Sequence, residues 1–466
     1  MNPAIDIREV MTSPALFGKE FGGPSFAAWR ALLCAFYGLK LSDEEKETLI
    51  ALTGRALVPF GAFEELWLVI GRRGGKSQVA ALIAIYEALF TDYRKQLAAG
   101  EVATVMVIAA DRKQARSVMR YTSGLINSNP MLKRSLVKET TEELTFNNRA
   151  VIEVATASFR STRGYTLSCA ILDEIAFWHS DGANPDAEVV GGLRPAMATL
   201  GGKLIALSSP YSRRGVLWST YKRHYAGESP HILVAQAPSR TMNPTLKQRV
   251  VDNAIAEDPE AARAEYLAQF RSDISAFLEL EQIEQATRSK PLILPPSYRD
   301  TYFGFVDPAG GGKDEFTLSV AHREGDLTVV DGVWGRLGSP AVITEEFANI
   351  LDSYGVPRVT GDRYAGRWVS DEFARHKITY EASERDRSQL YLDLMARLNS
   401  GSVVLPPCEK MQRQLANLER RTSRNGRDTI DHPPHSHDDR ANAVAGAVAI
   451  AALPNRRMQF VQLTGI

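Results

Sequence analysis

Residues 66–77 read Leu66-Trp67-Leu68-Val69-Ile70-Gly71-Arg72-Arg73-Gly74-Gly75-Lys76-Ser77, the order of a strand, a glycine-rich turn and the start of a helix. The apolar run 66–70 predicts a short strand buried on both faces. The turn after it can aim successive backbone N–H groups at an anion, and the N-terminus of a helix over 77–90 adds positive potential at the same point. Lys76 is expected to neutralise the β- and γ-phosphates of a nucleotide, and Ser77 to offer a hydroxyl to Mg²⁺. The GxxxxGK[ST] pattern is met imperfectly, because Ile70 stands at its first glycine position and Gly71 comes one residue late. Arg72 and Arg73 sit inside the loop, flanking the expected phosphates together with Gly74 and Gly75.

Working outward, apolar runs at 104–110, 151–155, 169–172 and 203–208 predict further strands alternating with helices, which implies a mainly parallel sheet covered on both faces. The run 169–172 ends in Asp173-Glu174. Beside a phosphate loop, the first acid would orient Mg²⁺ and the second would activate the attacking water. A solvated acidic turn after a strand is the plainer alternative. Arg163, in Ser161-Thr162-Arg163-Gly164, is a candidate arginine finger toward a neighbouring subunit's γ-phosphate, or else a surface arginine. Ser208 and Ser209 end the next strand at the same sheet edge, where hydroxyls could sense a γ-phosphate and where an ordinary turn would look the same. Helices over 26–37 and 43–52 lead in, and a helix over 258–270 closes this half. The expected fold class is α/β, with a P-loop ATPase domain over 1–272 whose first 60 residues are a helical lead-in.

A Pro-containing stretch, 273–299, reads as a linker. Beyond it, strands at 302–307, 317–322 and 327–334, a helix at 341–354 and a strand at 358–362 predict a second α/β domain, 300–466, with a mixed sheet. Two of these strands end in acids, Asp307 before a glycine-rich turn and Asp362 after Gly361. A third acidic site, Asp438-Asp439, opens an Ala/Val-rich helix, where the helix dipole alone favours an acid by roughly 0.3–1 kcal/mol. Acids converging from two strands and a helix can hold two divalent ions about 4 Å apart for phosphodiester hydrolysis. All-oxygen ligands suit Mg²⁺ or Mn²⁺. Asp438 and Asp439 cannot point the same way on a helix, and Asp439 is the expected more direct ligand. Asp314 is an auxiliary candidate or a loop acid. His432, His435 and His437 lack the spacing of a structural zinc site. Arg420, Arg421, Arg424 and Arg427 surround the hairpin-like Asn425-Gly426 and would suit a DNA backbone or a solvated basic loop. The last residues, 453–466, read as a peripheral tail.

The chain's 466 residues suit two or three domains, and its zero formal net charge means that any nucleic-acid contact must come from local patches. Its 3 cysteines, Cys34, Cys169 and Cys408, form no paired motif, so a reducing cytoplasm is expected. No signal-like N-terminus and no long apolar window is evident, so no membrane partner is expected.

Taken together, the chain resembles the large terminase subunit of tailed double-stranded DNA phages, over about residues 65–452. The resemblance rests on the arginine-bearing loop before Gly75-Lys76-Ser77, Asp111-Arg112-Lys113-Gln114-Ala115, Ser161–Gly164 before Asp173-Glu174, and Ser208-Ser209-Pro210. It continues through Asn243-Pro244, 264–270, Asp307-Pro308-Ala309, 362–366 and His437-Asp438-Asp439. Asn442 stands where relatives often carry another acid. The resemblance implies ATP-driven translocation of double-stranded DNA into a procapsid and cutting of concatemers by an RNase H-like, two-metal endonuclease. It also implies a ring of subunits, a pentamer, on the portal protein, a small terminase subunit as partner, and residence in the host cytoplasm with transient docking on the procapsid. Two rivals stay open: a cellular helicase-nuclease, which would need more helicase motifs than this chain has, and a non-catalytic protein on a degenerate ATPase fold.

Overall fold

The apolar run ahead of the glycine turn forms β1 (Glu65–Ile70), and its side chains alternate between two cores: Leu66, Leu68 and Ile70 enter one, Trp67 and Val69 the other. The computed structural model describes residues 5–157, 164–178, 185–309, 314–362, 366–422, 428–433 and 436–453. It divides into two compact units, Met1–Asp273 and Ile274–Ile466.

In the first unit β1 is followed by β2 (Ala103–Ala109), β3 (Leu136–Glu139), β4 (Glu143–Phe146), β5 (Ala150–Thr156), β6 (Leu167–Asp173), β7 (Lys203–Ser208) and β8 (Ile232–Ala237). They form one sheet in the order β3-β4-β5-β2-β6-β7-β1-β8. The six strands from β5 to β8 are parallel, and β4 runs antiparallel to both its neighbours. Every residue of β2 and β6 is buried, as unbroken apolar runs between two helical layers require. One layer holds the helices Ala27–Phe36, Lys76–Ile85 and Arg112–Ser128, and the other holds Pro185–Met197 and Gly215–His224. The lead-in helix Asp43–Thr53 carries a capping box from Ser42 and Glu45. The helix expected over 77–90 is α-helical only to Ile85 and finishes in one wider turn, Tyr86–Phe90. All of β6, β7 and β1 point their C-terminal ends to the same edge, which brings Asp173-Glu174, Ser208-Ser209 and the glycine turn together.

The second unit is built on a six-stranded sheet, β14-β13-β10-β11-β12-β15. Its strands are β10 (Tyr302–Asp307), β11 (Phe316–Glu324), β12 (Leu327–Arg336), β13 (Arg358–Gly361), β14 (Thr379–Ala382) and β15 (Val403–Val404). β10 to β12 form an antiparallel meander, while β13 and β14 lie parallel on the other side of β10. This is the mixed sheet expected for the second domain. The helix Asp439–Ala451 packs across β10 and β11 with ten of its residues buried. Gly446 lets Phe305 lie against it: a Cβ there would come within 2.2 Å of the ring. A smaller sheet joins β9 (Ile274–Ala276), β16 (Glu419–Thr422) and β17 (Asp428–Asp431).

The stretch expected as a linker, 273–299, is not one along its first half. β9 pairs with β16, and Phe277, Leu278 and Ile283 are buried in the second unit's core. Its Pro-rich second half is clasped by Arg288, which donates to the carbonyl oxygens of Pro291, Leu292, Val330 and Asp331. The prolines mark a segment without helix or strand, and burial of three apolar side chains ahead of them moves the boundary back to Asp273.

Candidate functional site

In the first unit the turn after β1 is held from three sides. Trp29 Nε1 donates to the Gly74 carbonyl at 2.9 Å, Ser239 Oγ to that of Arg72 at 2.6 Å, and Asn243 Nδ2 to that of Arg73 at 2.8 Å. Arg73 (φ 62°) and Gly75 (φ 92°) are both left-handed, a conformation that Gly75 adopts freely and Arg73 adopts at a cost. Gly71 admits no side chain, since a Cβ would meet Ser239 Oγ at 2.4 Å and the Tyr266 carbonyl at 2.8 Å. Arg72 pairs with Glu265 at 3.0 Å. Three of these clasps, Ser239, Asn243 and 264–270, come from the stretches after β8.

Lys76 is the first residue of its helix and only 6% exposed. Its Nζ donates to Ser209 Oγ (2.9 Å) and to the Ile70 carbonyl (3.0 Å), and lies 3.2 Å from Glu174 Oε1. Ser77 follows, half-buried on the first turn. Glu174 is itself left-handed (φ 52°), and its Oε2 accepts from Ser208 Oγ and from the Ser209 N–H, each at 3.0 Å. A non-glycine residue strained in this way is characteristic of functional positions. Asp173, just before it, is 3% exposed. Burial, and then the charge of Glu174, push its carboxyl up to about 7. Its Oδ1 is buried with no hydrogen-bond partner. A buried, unpartnered carboxylate oxygen beside a phosphate-type turn suits a hard cation such as Mg²⁺. Arg163 lies outside the described residues.

In the second unit, β10 and β13 run parallel with Val306 opposite Gly361, so Asp307 and Asp362 leave the sheet side by side at one edge. Asp438 and Asp439 reach this edge from the start of the helix Asp439–Ala451. Capping does not explain them. Asp438 makes no cap hydrogen bond; Gln414 Oε1 instead accepts from the N–H groups of Arg440 (2.9 Å) and Ala441 (3.1 Å). That leaves the buried Asp438 carboxylate to accept from Tyr391 OH at 2.7 Å and to meet Arg387 Nη1 at 3.3 Å. Asp439 Oδ2 accepts from the Glu315 N–H at 3.1 Å. Burial pushes the Asp307 carboxyl up to about 7; Asn442, which donates to Asp307 Oδ2 at 2.8 Å, and Arg387 pull the other way, while Asp438 and Asp439 add to the rise. Burial likewise raises Asp439.

The acids thus come from the two strand ends and the helix start, as their positions in the sequence suggest, but Arg387 stands among them. Its guanidinium is 3.7 Å from Asp362 and 3.9 Å from Asp431 as well as 3.3 Å from Asp438. Among the described residues no three His, Cys, Asp or Glu side chains form a ready-made metal cage. The donor chemistry is nonetheless all oxygen and fits Mg²⁺ or Mn²⁺ better than zinc. Asp314 pairs with His437 at 2.9 Å on the surface. His432 contacts Asp438 only at 3.9 Å, and His435 is outside the described residues.

The basic hairpin is partly turned inward. Arg420 lies 3.5 Å from Asp428 and over the Phe277 ring, and Arg421 pairs with Glu419 at 3.3 Å. Arg424 and Arg427, and the Asn425-Gly426 tip, fall outside the described residues, as do Arg363, Tyr364 and Ala365. Sequence reasoning missed Arg387, Tyr391 and Trp29. Arg387 had one usable signal, a basic residue at the first position of a helix, where the dipole disfavours it.

A family model described as "Uncharacterized protein MJ0330, N-terminal P-loop domain" matches residues 60–268. No curated protein sequence matches the chain. Among solved structures, the chain is similar to the large terminase of bacteriophage HK97, at 15% identity and TM-score 0.41, covering 91% of this chain and 99% of that one. It is similar to the large terminase of thermophilic bacteriophage D6E at 11% identity and TM-score 0.39, covering 92% and 99%. The D6E protein has also been solved in complex with ADP and with ATP-gamma-S. The large terminase nuclease of thermophilic phage G20c, solved with bound magnesium, matches at 16% identity and TM-score 0.33 over 38% of this chain and 98% of that one. Each of these solved structures is a large terminase, or the nuclease of one, from a bacteriophage.

Proposed function

We propose that this chain is the large subunit of a phage terminase, an ATP-driven translocase of double-stranded DNA whose second unit is a metal-dependent endonuclease that cuts concatemers. The observation that carries the ATPase reading is the meeting of Lys76, Glu174 and Ser209 at the mouth of the glycine turn, beside the unpartnered Asp173 Oδ1. The nuclease reading is supported by Asp307, Asp362, Asp438 and Asp439 at one edge of an RNase H-like sheet.

In this reading Ser77 and Asp173 hold Mg²⁺ in the first unit, and Asp307, Asp362, Asp438 and Asp439 hold two Mg²⁺ or Mn²⁺ ions in the second, where bound metal supplies charge to the phosphate oxygens and acidity to water. The Gly71–Gly75 N–H groups cradle the phosphates, flanked by Arg72 and Arg73. Lys76 gives up its contact with Glu174 for the β- and γ-phosphates. Glu174, still held by Ser208 and the Ser209 N–H, then accepts a proton from the attacking water. Because Ser208 and Ser209 touch both Glu174 and Lys76, they are placed to report the phosphate state to the strand that carries them. Arg163 acts on the site of a neighbouring subunit. A pentameric ring on the portal protein, recruitment by a small terminase subunit, and work in the host cytoplasm belong to the same proposal.

The experiment separates the two activities. Lys76→Ala and Glu174→Gln are expected to abolish DNA-stimulated ATP hydrolysis while leaving metal-dependent DNA cleavage. Asp307→Asn and Asp362→Asn are expected to do the reverse. Persistent hydrolysis in both members of the first pair removes the motor assignment, and cutting at normal rates by either member of the second removes the ligand set.

A further inference from the structure

Arg387 occupies a position that helix formation does not explain. It is the first residue of the helix Arg387–Asn399, whose N-terminus is already closed by the reciprocal bonds of Asp386 and Gln389. A positive charge in that first turn works against the helix dipole. Its surroundings account for it instead. The guanidinium reaches carboxylates from three separate elements: Asp438 before the long helix (3.3 and 3.4 Å to its two oxygens), Asp362 after β13 (3.7 Å) and Asp431 at the end of β17 (3.9 Å). One turn along the same helix face, Tyr391 OH holds Asp438 Oδ2 at 2.7 Å, which fixes the carboxylate that Arg387 touches.

The quality of these contacts is informative. A structural arginine in this unit looks different: Arg440 grips Glu315 with two nitrogens, at 2.8 and 3.2 Å. Arg387 makes no such fork. It shares one charge among three acids, two of them beyond hydrogen-bond distance, and its side chain remains 36% exposed. That is the geometry of a counterion able to leave.

We propose that Arg387 is an exchangeable positioning residue of the second unit: it gathers Asp362 and Asp438 and yields their oxygens when a divalent cation binds. The inference rests on the nuclease reading given above. It means that the acids are kept close without a metal, and that the first ion must compete with a resident cation, so cutting begins only above a metal threshold that Arg387 sets.

The test reads metal binding on the full chain, without DNA. Mn²⁺ is titrated by electron paramagnetic resonance, with Asp307→Asn identifying the portion that belongs to the acid cluster. Removing one positive charge about 5 Å from a divalent ion in a solvated site is expected to tighten that portion roughly tenfold in Arg387→Gln, whereas Arg387→Lys should stay within about threefold of wild type. A purely structural arginine predicts equal or weaker Mn²⁺ binding in Arg387→Gln, and that result overturns the inference. Should Arg387→Gln fold poorly, the wild-type protein decides by itself. The Arg387 side-chain nitrogen resonances must shift during a Mg²⁺ titration that saturates the Asp307-dependent site, and an unmoved resonance overturns the inference equally. Loss of all Asp307-dependent metal binding in wild type would instead sink the nuclease reading itself.

Discussion

Gly446→Ala is the substitution that most directly tests how the second unit is assembled. An ideal Cβ at Gly446 would lie 2.2, 2.3 and 2.5 Å from three atoms of the Phe305 ring. Carbon atoms pack favourably at about 3.5–4.0 Å, so more than 1 Å of movement is needed. The ring has nowhere to go: Phe305 is 0% exposed on β10, a strand flanked by β11 and β13. The helix Asp439–Ala451 must therefore retreat, and Asn442, one turn before Gly446, must release Asp307 from its 2.8 Å hydrogen bond. In an isolated helix alanine would be favoured over glycine by about 1 kcal/mol. Overpacking a close-packed core costs about 1–3 kcal/mol, and the lost hydrogen bond adds about 1 kcal/mol. The net expectation is a destabilisation of roughly 2 kcal/mol, or about 4–8 °C in the melting temperature of a unit this size. Calorimetry, with hydrogen exchange to assign the transition to the second unit, measures it. Gly446→Ala combined with Phe305→Leu should lose less than the sum of the two single changes, because the clash is shared. A Gly446→Ala protein that melts at or above wild type would show that helix propensity outweighs the contact, and would refute the claim that this glycine seats the acid-bearing helix on β10.

Two further expectations concern buried polar contacts. The hydrogen bond that His322 Nδ1 on β11 donates to the buried Asp331 carboxylate on β12, at 2.9 Å, raises the imidazole to about 9. A folded-state value above the unfolded one means that the stabilisation is fully present below about pH 6.5 and is lost as pH rises through 9, an effect on the order of 3 kcal/mol. Urea unfolding of the second unit at pH 6, 7.5 and 9 should show that decline, and His322→Gln should flatten it; a wild-type profile already flat across this range contradicts the assignment. Trp29→Phe removes the indole donor to the buried Gly74 carbonyl and leaves that oxygen unpaired, at a cost of about 1–3 kcal/mol. Loosening the turn should weaken nucleotide binding several-fold in a fluorescent-nucleotide titration, and unchanged affinity would show that Trp29 supports the fold only.

The parts of the fold that could be read from the chain were those fixed by local pattern. Continuous apolar runs become the central strands because only a two-sided core accepts them, and β7 and β10 take the bounds their runs suggest. Where the pattern is weak, the reading falters. β3 is exposed along most of its length, so its pairing with β4 depends on tertiary context. The prolines after Lys290 mark a break in local pattern, whereas the burial of Phe277, Leu278 and Ile283, which no periodicity announces, assigns the preceding residues to the second unit. Strand ends located the acids, yet Gln414, which caps the helix from 26 residues upstream, and Arg387, 51 residues before Asp438, leave no periodic trace. Contacts of that sequence separation are decided by folding, not by spacing.

The two units nevertheless share one electrostatic design. In each, carboxylates gather at the ends of parallel strands, where burial, with a smaller contribution from neighbouring acids, raises a carboxyl toward neutrality, Asp173 in the first and Asp307 in the second. In each, one basic side chain from the first residue of a helix is lodged on the acids, Lys76 against Glu174 and Arg387 against Asp438. The consequences differ with the chemistry of the base. Lysine is a point charge on a flexible stem, so Lys76 can swing from a carboxylate to a phosphate and release Glu174 in the same movement. Arg387 makes no fork with any one acid: its charge lies loosely among several, which suits a residue that keeps them gathered until a harder cation outcompetes it. Exchanging the two bases is thus informative as a pair. Lys76→Arg should keep the charge yet lose hydrolysis, because the guanidinium cannot fit where Nζ meets Ser209 at 2.9 Å and the Ile70 carbonyl at 3.0 Å. Arg387→Lys should keep both its charge and the metal threshold. If both exchanges kept function, charge alone would govern both edges; if both lost it, geometry would govern both; either result removes the distinction between them.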